Sequence, residues 1–137
     1  MIEQSQGDTL VNAVDTTVTV RRSVSQPVKE IWKLLVTREG AEALLGAGGE
    51  LGDKGDSWHA ADGTFGVIRS YHPLEQIRFS WHAAEDAPKT IVEVDLSTDQ
   101  DTTVVEIRHD HIPYYYDANA LTQKWERALD KLVAAAL

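Results

Sequence analysis

Residues 102–117 read TTVVEIRHDHIPYYYD and carry the chain from its last strand into its last helix. Successive side chains of a strand point to opposite faces, so the apolar and charged positions are expected to separate here. The positions predicted to share one face are Val105, Ile107, His109 and His111. Pro113 marks the end of the strand, and Asp117 is placed to cap the helix that follows, where a carboxylate also favours the helix dipole.

The last helix is predicted from the spacing of its apolar residues. In residues 117–137, DANALTQKWERALDKLVAAAL, apolar positions recur every three or four residues, which places them on one helix face. That face consists of Leu121, Trp125, Ala128, Leu132 and Ala136. The basic residues Lys124, Arg127 and Lys131 mark the opposite face, so the segment is predicted to be an amphipathic helix.

Before residue 102 the pattern predicts one strand, two short helices and four further strands. Valines alternate in the first strand from residue 18, and Pro27 fits the first turn of the first helix. Thr37 is placed to cap the second helix and Gly46 to end it. A glycine-dense loop follows, and Asp62-Gly63 is a strong hairpin signal. The later connectors are short and polar, which indicates antiparallel neighbours with one apolar and one charged sheet face.

This order of elements resembles the helix-grip fold of the START-like (SRPBCC) superfamily, and within it the group named for the activator of the heat-shock-protein-90 ATPase. Three stretches carry the resemblance: VTVRRSVSQPVKEIW at 18–32, GVIRSYHPLEQIRFSW at 66–81, and TTVVEIRHDH at 102–111 followed by WERALDKL at 125–132. The group usually opens its second helix with Asp-Pro and has a tryptophan there, whereas this chain has Thr37-Arg38-Glu39. The departure weakens transfer of the parent co-chaperone role.

The resemblance implies an α+β helix-grip fold, in which a curved antiparallel sheet of about six strands wraps on a long C-terminal helix. Two short helices are expected after the first strand. Residues 17–137 are predicted to be one such domain, and residues 1–16, which contain acidic but no basic side chains, are interpreted as a partly ordered leader.

The composition argues against several classes of partner. Of the 137 residues, 22 are Asp or Glu and 13 are Lys or Arg, giving a formal charge of −9, so nucleic acid and anionic membrane surfaces would be repelled. The chain has no cysteine, which rules out disulfides and thiol chemistry. No apolar run approaches the ~20 residues of a membrane span, and no secretory signal is visible, so a cytoplasmic location is expected.

The pair His109 and His111 is the strongest candidate for chemistry. Two imidazoles on one strand face could hold a metal ion only with one or two further ligands, and Asp110 would point the other way. No other histidine has a recognisable ligand spacing, so neither a metal site nor a cofactor is predicted. Glu93, Asp95 and Glu106 alternate outward and are interpreted as a solvated sheet face.

Three functions are compatible with the pattern. The first is binding of an apolar, aromatic or lipid-like small molecule in a cavity between the sheet and the C-terminal helix. The residues predicted to line it are Phe79, Trp81, Val94, Ile107, His109, Tyr116, Trp125 and Leu129. The second is a co-chaperone-like module that has a solid core and binds a protein through its surface. In either case the chain is expected to be a monomer or a homodimer. The third, an enzyme of the cyclase or hydratase type with His109 as acid or base, is least favoured because no catalytic residues converge.

Overall fold

The computed structural model describes residues 15–136, which form a six-stranded sheet and three helices. The elements in chain order are β1 (Asp15–Val24), α1 (Val28–Leu35), α2 (Arg38–Leu45), β2 (Ser57–His59), β3 (Phe65–His72), β4 (Gln76–Trp81), β5 (Thr90–Asp99), β6 (Thr102–Pro113) and α3 (Ala118–Ala136). This arrangement confirms the predicted α+β helix-grip fold. Of the predicted leader, residues 1–14 lie outside the described residues, and residues 15 and 16 belong to β1.

The strands pair in the order β1-β6-β5-β4-β3-β2, and every pairing is antiparallel. The first and last strands of the chain are therefore neighbours, and β1 and β2 form the two edges. Apolar side chains alternate inward along β4, β5 and β6, where they form the core with α3. Arginines and carboxylates alternate outward, so the other sheet face is charged, as the sequence predicts.

Local capping explains where the helices begin and end. Thr37 Oγ1 accepts a 3.2 Å hydrogen bond from the Gly40 amide at the start of α2, and Gly46 ends that helix with a φ of 110°. Asp117 Oδ1 accepts a 3.1 Å hydrogen bond from the Ala120 amide at the start of α3. All three residues have the capping roles that the sequence predicts. None of the helices within residues 15–136 is long and apolar enough to span a membrane.

A β-bulge in β6 corrects one prediction. Thr16 of β1 pairs with Ile112 and Val18 pairs with His109, so three residue steps in β6 face two in β1. His111 takes the extra position with a φ of 65°, and it is exposed, whereas His109 and Ile112 are buried. The prediction that His109 and His111 share a face is wrong, because the bulge shifts the alternation of the strand by one residue.

Candidate functional site

A buried polar chain runs through the core between the sheet and α3. The indole Nε1 of Trp125 donates a hydrogen bond of 3.1 Å to Nδ1 of His109. On the other side of the ring, Nε2 of His109 lies 2.7 Å from Oγ1 of Thr90. The Thr90 hydroxyl in turn donates a 2.7 Å hydrogen bond to the carbonyl oxygen of Trp81.

These contacts determine the protonation state of His109. An indole N–H is only a donor, so Nδ1 of His109 must be the unprotonated nitrogen, and Nε2 carries the proton that is donated to Thr90. His109 is 0% exposed, and burial, which penalises the charged form, lowers its pKa to about 4. The imidazole is therefore neutral near pH 7, and both of its nitrogens are engaged within the protein. This arrangement holds the ring in place and leaves no nitrogen available for proton transfer to a ligand.

Trp81, His109 and Trp125, which we call the aromatic cluster, pack edge to face around this chain. The ring centroids of Trp81 and His109 are 4.9 Å apart, and those of Trp81 and Trp125 are 6.3 Å apart. Trp81 is only 4% exposed, yet its Nε1 has no hydrogen-bond partner among residues 15–136. A buried N–H without an acceptor costs about 1–3 kcal/mol, so the cluster contains one unused donor.

Lys124 of α3 covers the aromatic cluster. Its Nζ lies 5.9 Å from the Trp81 ring centroid and 5.6 Å from the Trp125 ring centroid, within the range of a cation–π interaction. The same Nζ is 3.6 Å from Oδ2 of Asp62 in the β2–β3 turn. Partial burial raises the pKa of the Asp62 carboxyl, but hydrogen bonds from Thr64 and the charge of Lys124 outweigh it and lower the pKa overall. The Lys124–Asp62 pair thus joins α3 to a hairpin turn above the cluster.

The eight residues predicted to line a cavity lie in or against a single core. Seven of them are buried: Phe79, Trp81, Val94, Ile107, His109, Trp125 and Leu129. Tyr116 is half-buried and packs against the core, while Tyr114 and Tyr115 are exposed. The eight are close-packed in this structure, and none of them lines the surface clefts described below. Their role in ligand binding therefore stays a prediction.

Two residues of this region were missed by sequence reasoning. Thr90 completes the polar chain because it pairs with Trp81 across β4 and β5, and that register depends on a connector whose length gives no simple turn type. Lys124 follows the basic face of α3 in the sequence, yet its long side chain reaches back over the cluster. Within residues 15–136, no group of three His, Asp or Glu side chains is placed to hold a metal ion.

Surface clefts lie beside the sheet within residues 15–136, and two of them bear on function. The outer cleft, about 610 Å³ in volume, lies on the charged face and is lined by Arg69, Arg78, Pro88, Lys89, Ile91, His111, Pro113, Tyr114 and Tyr115. The edge cleft, about 660 Å³, lies beside β2 and β3, where the rings of Phe65 and His82 stack with centroids 4.5 Å apart. The outer cleft is the more strongly charged of the two.

Solved structures with the same fold come from several proteins. The chain superimposes on the crystal structure of CalU16 from Micromonospora echinospora with a TM-score of 0.74, at 24% identity over 88% of this chain and 75% of that one. DynU16, a protein in the dynemicin biosynthetic locus, matches with a TM-score of 0.71 at 21% identity, over 86% of this chain but only 46% of that one. The Aha1 dimer from Colwellia psychrerythraea matches with a TM-score of 0.72 at 19% identity, over 88% and 96% of the two chains.

A protein-family model matches most of the sequence. No curated protein matches the chain. The family described as activator of Hsp90 ATPase homolog 1-like protein matches residues 25–136, which include every helix and all strands except β1. The match agrees with the resemblance carried by the first helix, the β3–β4 hairpin and α3. The chain therefore belongs to the family of activator of Hsp90 ATPase homolog 1-like proteins, on a START-like helix-grip fold.

Proposed function

We propose that this protein binds an aromatic small molecule carrying a hydrogen-bond acceptor, between the sheet and α3 at the aromatic cluster. The observation that carries the proposal is the buried Nε1 of Trp81, which has no acceptor among residues 15–136. Buried polar groups are almost always paired, so an unpaired one requires an explanation, and a bound ligand that supplies the acceptor is the one we propose. A carbonyl or phenolic oxygen is the acceptor that an indole N–H would bind.

The surroundings favour an aromatic ligand. The three rings of the aromatic cluster meet edge to face, so a planar molecule inserted among them would find both ring faces and ring edges to contact. Because His109 is neutral, it adds no charge to the site, and Lys124 is a cation in contact with the cluster. A neutral or weakly acidic aromatic compound therefore suits the site better than a cation.

Access requires the Lys124–Asp62 pair to separate and the packed rings beneath it to move apart. Both side chains are partly exposed, and exposed ion pairs typically contribute only ~0.2–1 kcal/mol. Separation of the ion pair is thus the inexpensive step, and the contacts made by the ligand must offset the cost of moving the rings apart. The structural neighbour DynU16 is a protein of a biosynthetic locus. That origin is compatible with a small-molecule ligand for this chain.

The test is a titration of a panel of aromatic and lipid-like compounds, with intrinsic tryptophan fluorescence and the thermal midpoint followed together. A ligand that binds only the folded state must raise the midpoint, so saturable quenching with a rising midpoint supports the proposal. Trp81→Phe removes the unused N–H and should weaken binding of the acceptor-bearing compounds about tenfold, the equivalent of one hydrogen bond of ~1.4 kcal/mol.

The matched control is Trp32→Phe, which changes a buried tryptophan of α1 that packs on Tyr71 outside the aromatic cluster. It should leave the affinity unchanged. Equal losses in the two variants, or no response to any compound of the panel by the wild-type protein, would count against the site.

A second function, a protein-interaction module without a ligand, is favoured by one observation: the predicted lining residues are close-packed. A close-packed core is what a module acting through its surface requires. A structural neighbour, the Aha1 of Colwellia psychrerythraea, is a dimer in solution. Sedimentation of this protein over a range of concentrations tests whether a homodimer is its relevant state, independently of the titration.

A further inference from the structure

The outer cleft differs in charge from the protein around it. Of the nine residues that line it, Arg69, Arg78 and Lys89 are basic and none is acidic, although the chain as a whole carries a charge of −9. Arg78 has a distant partner in Glu93, at 3.9 Å. Arg69 and Lys89 have no ion-pair partner among residues 15–136. The cleft therefore holds a local positive charge that the described part of the chain does not neutralise.

On this sheet face the carboxylates Glu93 and Asp110 pair with Arg78 and Arg108. Arg78, Glu93 and Arg108 form one cross-strand row through β4, β5 and β6, so a single carboxylate faces two guanidinium groups. Glu93 lies 3.9 Å from a guanidinium nitrogen of each arginine. Asp110 pairs with Arg108 at 2.9 Å. Glu93 and Asp110 are therefore already paired with arginines other than Arg69.

Two tyrosines form an apolar rim on the same cleft. Tyr114 and Tyr115 are each 67% exposed, and their rings meet edge to face with centroids 5.6 Å apart. The turn that carries them is closed by a 3.0 Å hydrogen bond from the Tyr116 amide to the Pro113 carbonyl. Tyr116 packs on the core, so the other two rings are directed outward. Exposed tyrosines on a fixed turn provide contact area at a low cost in conformational entropy.

We propose that the outer cleft binds an acidic peptide segment of a partner protein, with its carboxylates on Arg69, Arg78 and Lys89 and an apolar side chain against Tyr114 and Tyr115. Arginine side chains bind carboxylates bidentately, and tyrosine and arginine are enriched where binding energy is concentrated. A cleft of about 610 Å³ accommodates a few residues of peptide. This surface lies on the sheet face opposite the aromatic cluster, so the proposal does not depend on ligand binding there.

The overall charge argues for a short segment over an extended polyanion. Beyond a screening length of ~8 Å at physiological ionic strength, the net charge of −9 counts for little, and the local cations decide binding. A nucleic acid or a membrane surface extends past the cleft and meets the acidic remainder of the protein. A peptide of a few residues contacts the cleft alone.

The experiment uses a fluorescein-labelled ten-residue peptide in which glutamates alternate with leucine and phenylalanine, measured by fluorescence anisotropy with the full chain. The double variant Arg69→Glu with Lys89→Glu should weaken binding at least tenfold. Both side chains are exposed, so the variant is expected to fold, and circular dichroism with the thermal midpoint checks this. The variant Tyr114→Ser with Tyr115→Ser should weaken binding several-fold and leave the net charge unchanged.

The control is Lys29→Glu with Lys54→Glu, which changes the net charge equally at two exposed sites outside the cleft. Binding that survives in this variant and is lost in the cleft variant supports the proposal. Equal losses in both variants, no binding at all, or equal binding of a peptide with glutamine in place of glutamate would overturn it.

Two other occupants are also separated by these measurements. Complete competition by millimolar citrate, with no dependence on the tyrosines, would assign the cleft to a small anion and overturn the peptide proposal. Self-association that is lost in the cleft variant would assign the cleft to a second copy of this chain and would likewise overturn the peptide proposal. The small-molecule titration with Trp81→Phe is unaffected by any of these outcomes, so failure of one proposal is distinguishable from failure of the other.

Discussion

Trp125 of α3 and His109 of β6 are joined by a 3.1 Å hydrogen bond in which the indole donates to the imidazole. This bond links the C-terminal helix to the sheet through groups that are both buried. It also fixes which nitrogen of His109 is protonated, since the indole has no lone pair to offer. The contact requires a neutral imidazole, and that requirement makes the stability of the fold dependent on pH.

The first prediction concerns that dependence. The folded pKa of His109, about 4, is below the unfolded value of 6.5, so the unfolded chain binds more protons between these values. The free energy of unfolding should therefore fall as the pH drops from 6.5 towards 4. Below pH 4, His109 should cause no further decrease. The loss is about 3 kcal/mol at ~1.4 kcal/mol per pKa unit. Denaturant titrations of the wild type and His109→Gln from pH 4 to 7 measure it, and parallel pH profiles would contradict it.

The second prediction concerns Thr90. Replacing it with valine keeps the shape but removes the hydroxyl that accepts from His109 and donates to the Trp81 carbonyl. A buried imidazole N–H is then left unpaired, so the free energy of unfolding should fall by about 1–3 kcal/mol. Thr19→Val, on an exposed position of β1, should change it by less than ~0.5 kcal/mol. Urea unfolding compares the two, and equal values would refute a structural role for the polar chain.

The third prediction concerns the Lys124–Asp62 ion pair that covers the aromatic cluster. A double-mutant cycle with Lys124→Met and Asp62→Asn should give a coupling free energy of ~0.2–1 kcal/mol, because the pair is partly exposed. Lys124→Met should cost more than that coupling, since it also removes the cation from the Trp81 and Trp125 rings. Thermal and urea unfolding of the four proteins give these values. A coupling above ~2 kcal/mol would mean that the closure is too strong to open readily.

The fourth prediction concerns Gly66 of β3. A Cβ at this position would overlap the Ser80 carbonyl oxygen, which accepts a 3.2 Å hydrogen bond from the Trp58 indole. Gly66→Ala should therefore lower the free energy of unfolding by about 3 kcal/mol or more, through overpacking and loss of this bond. Gly48→Ala has open space around its Cβ and should cost only ~1–2 kcal/mol for a left-handed backbone. If the two variants unfold at the same urea concentration, the close approach at Gly66 is unimportant.

The fold was largely predictable because its signals are local. Alternation identified the strands, and Thr37, Gly46 and Asp117 marked helix ends through side-chain and backbone chemistry confined to one turn. The bulge in β6 was not predictable, because histidine at 111 gives no indication that its φ will be positive. A glycine or asparagine there would have been the usual sign.

The candidate site was only partly predictable. Alternation correctly placed His109 on the inner face with Ile107, and the helical spacing of α3 placed Trp125 opposite them. Whether those side chains enclose a space or fill it depends on how α3 sits on the curved sheet, which no local pattern encodes. The outer cleft was missed for a related reason: Arg69, Lys89 and Tyr114 come from three separate segments that only the sheet register brings together.

The extra residue in β6, His111, lies exposed on the outer side of the strand, between the buried His109 and Ile112. Removing His111 would restore regular alternation, with Asp110 still outward and Ile112 still inward, so the core is indifferent to that position. His111 itself lines the outer cleft, so its removal would change the lining of the outer face. A change of length at this single point can therefore alter the outer cleft while the core keeps its alternation.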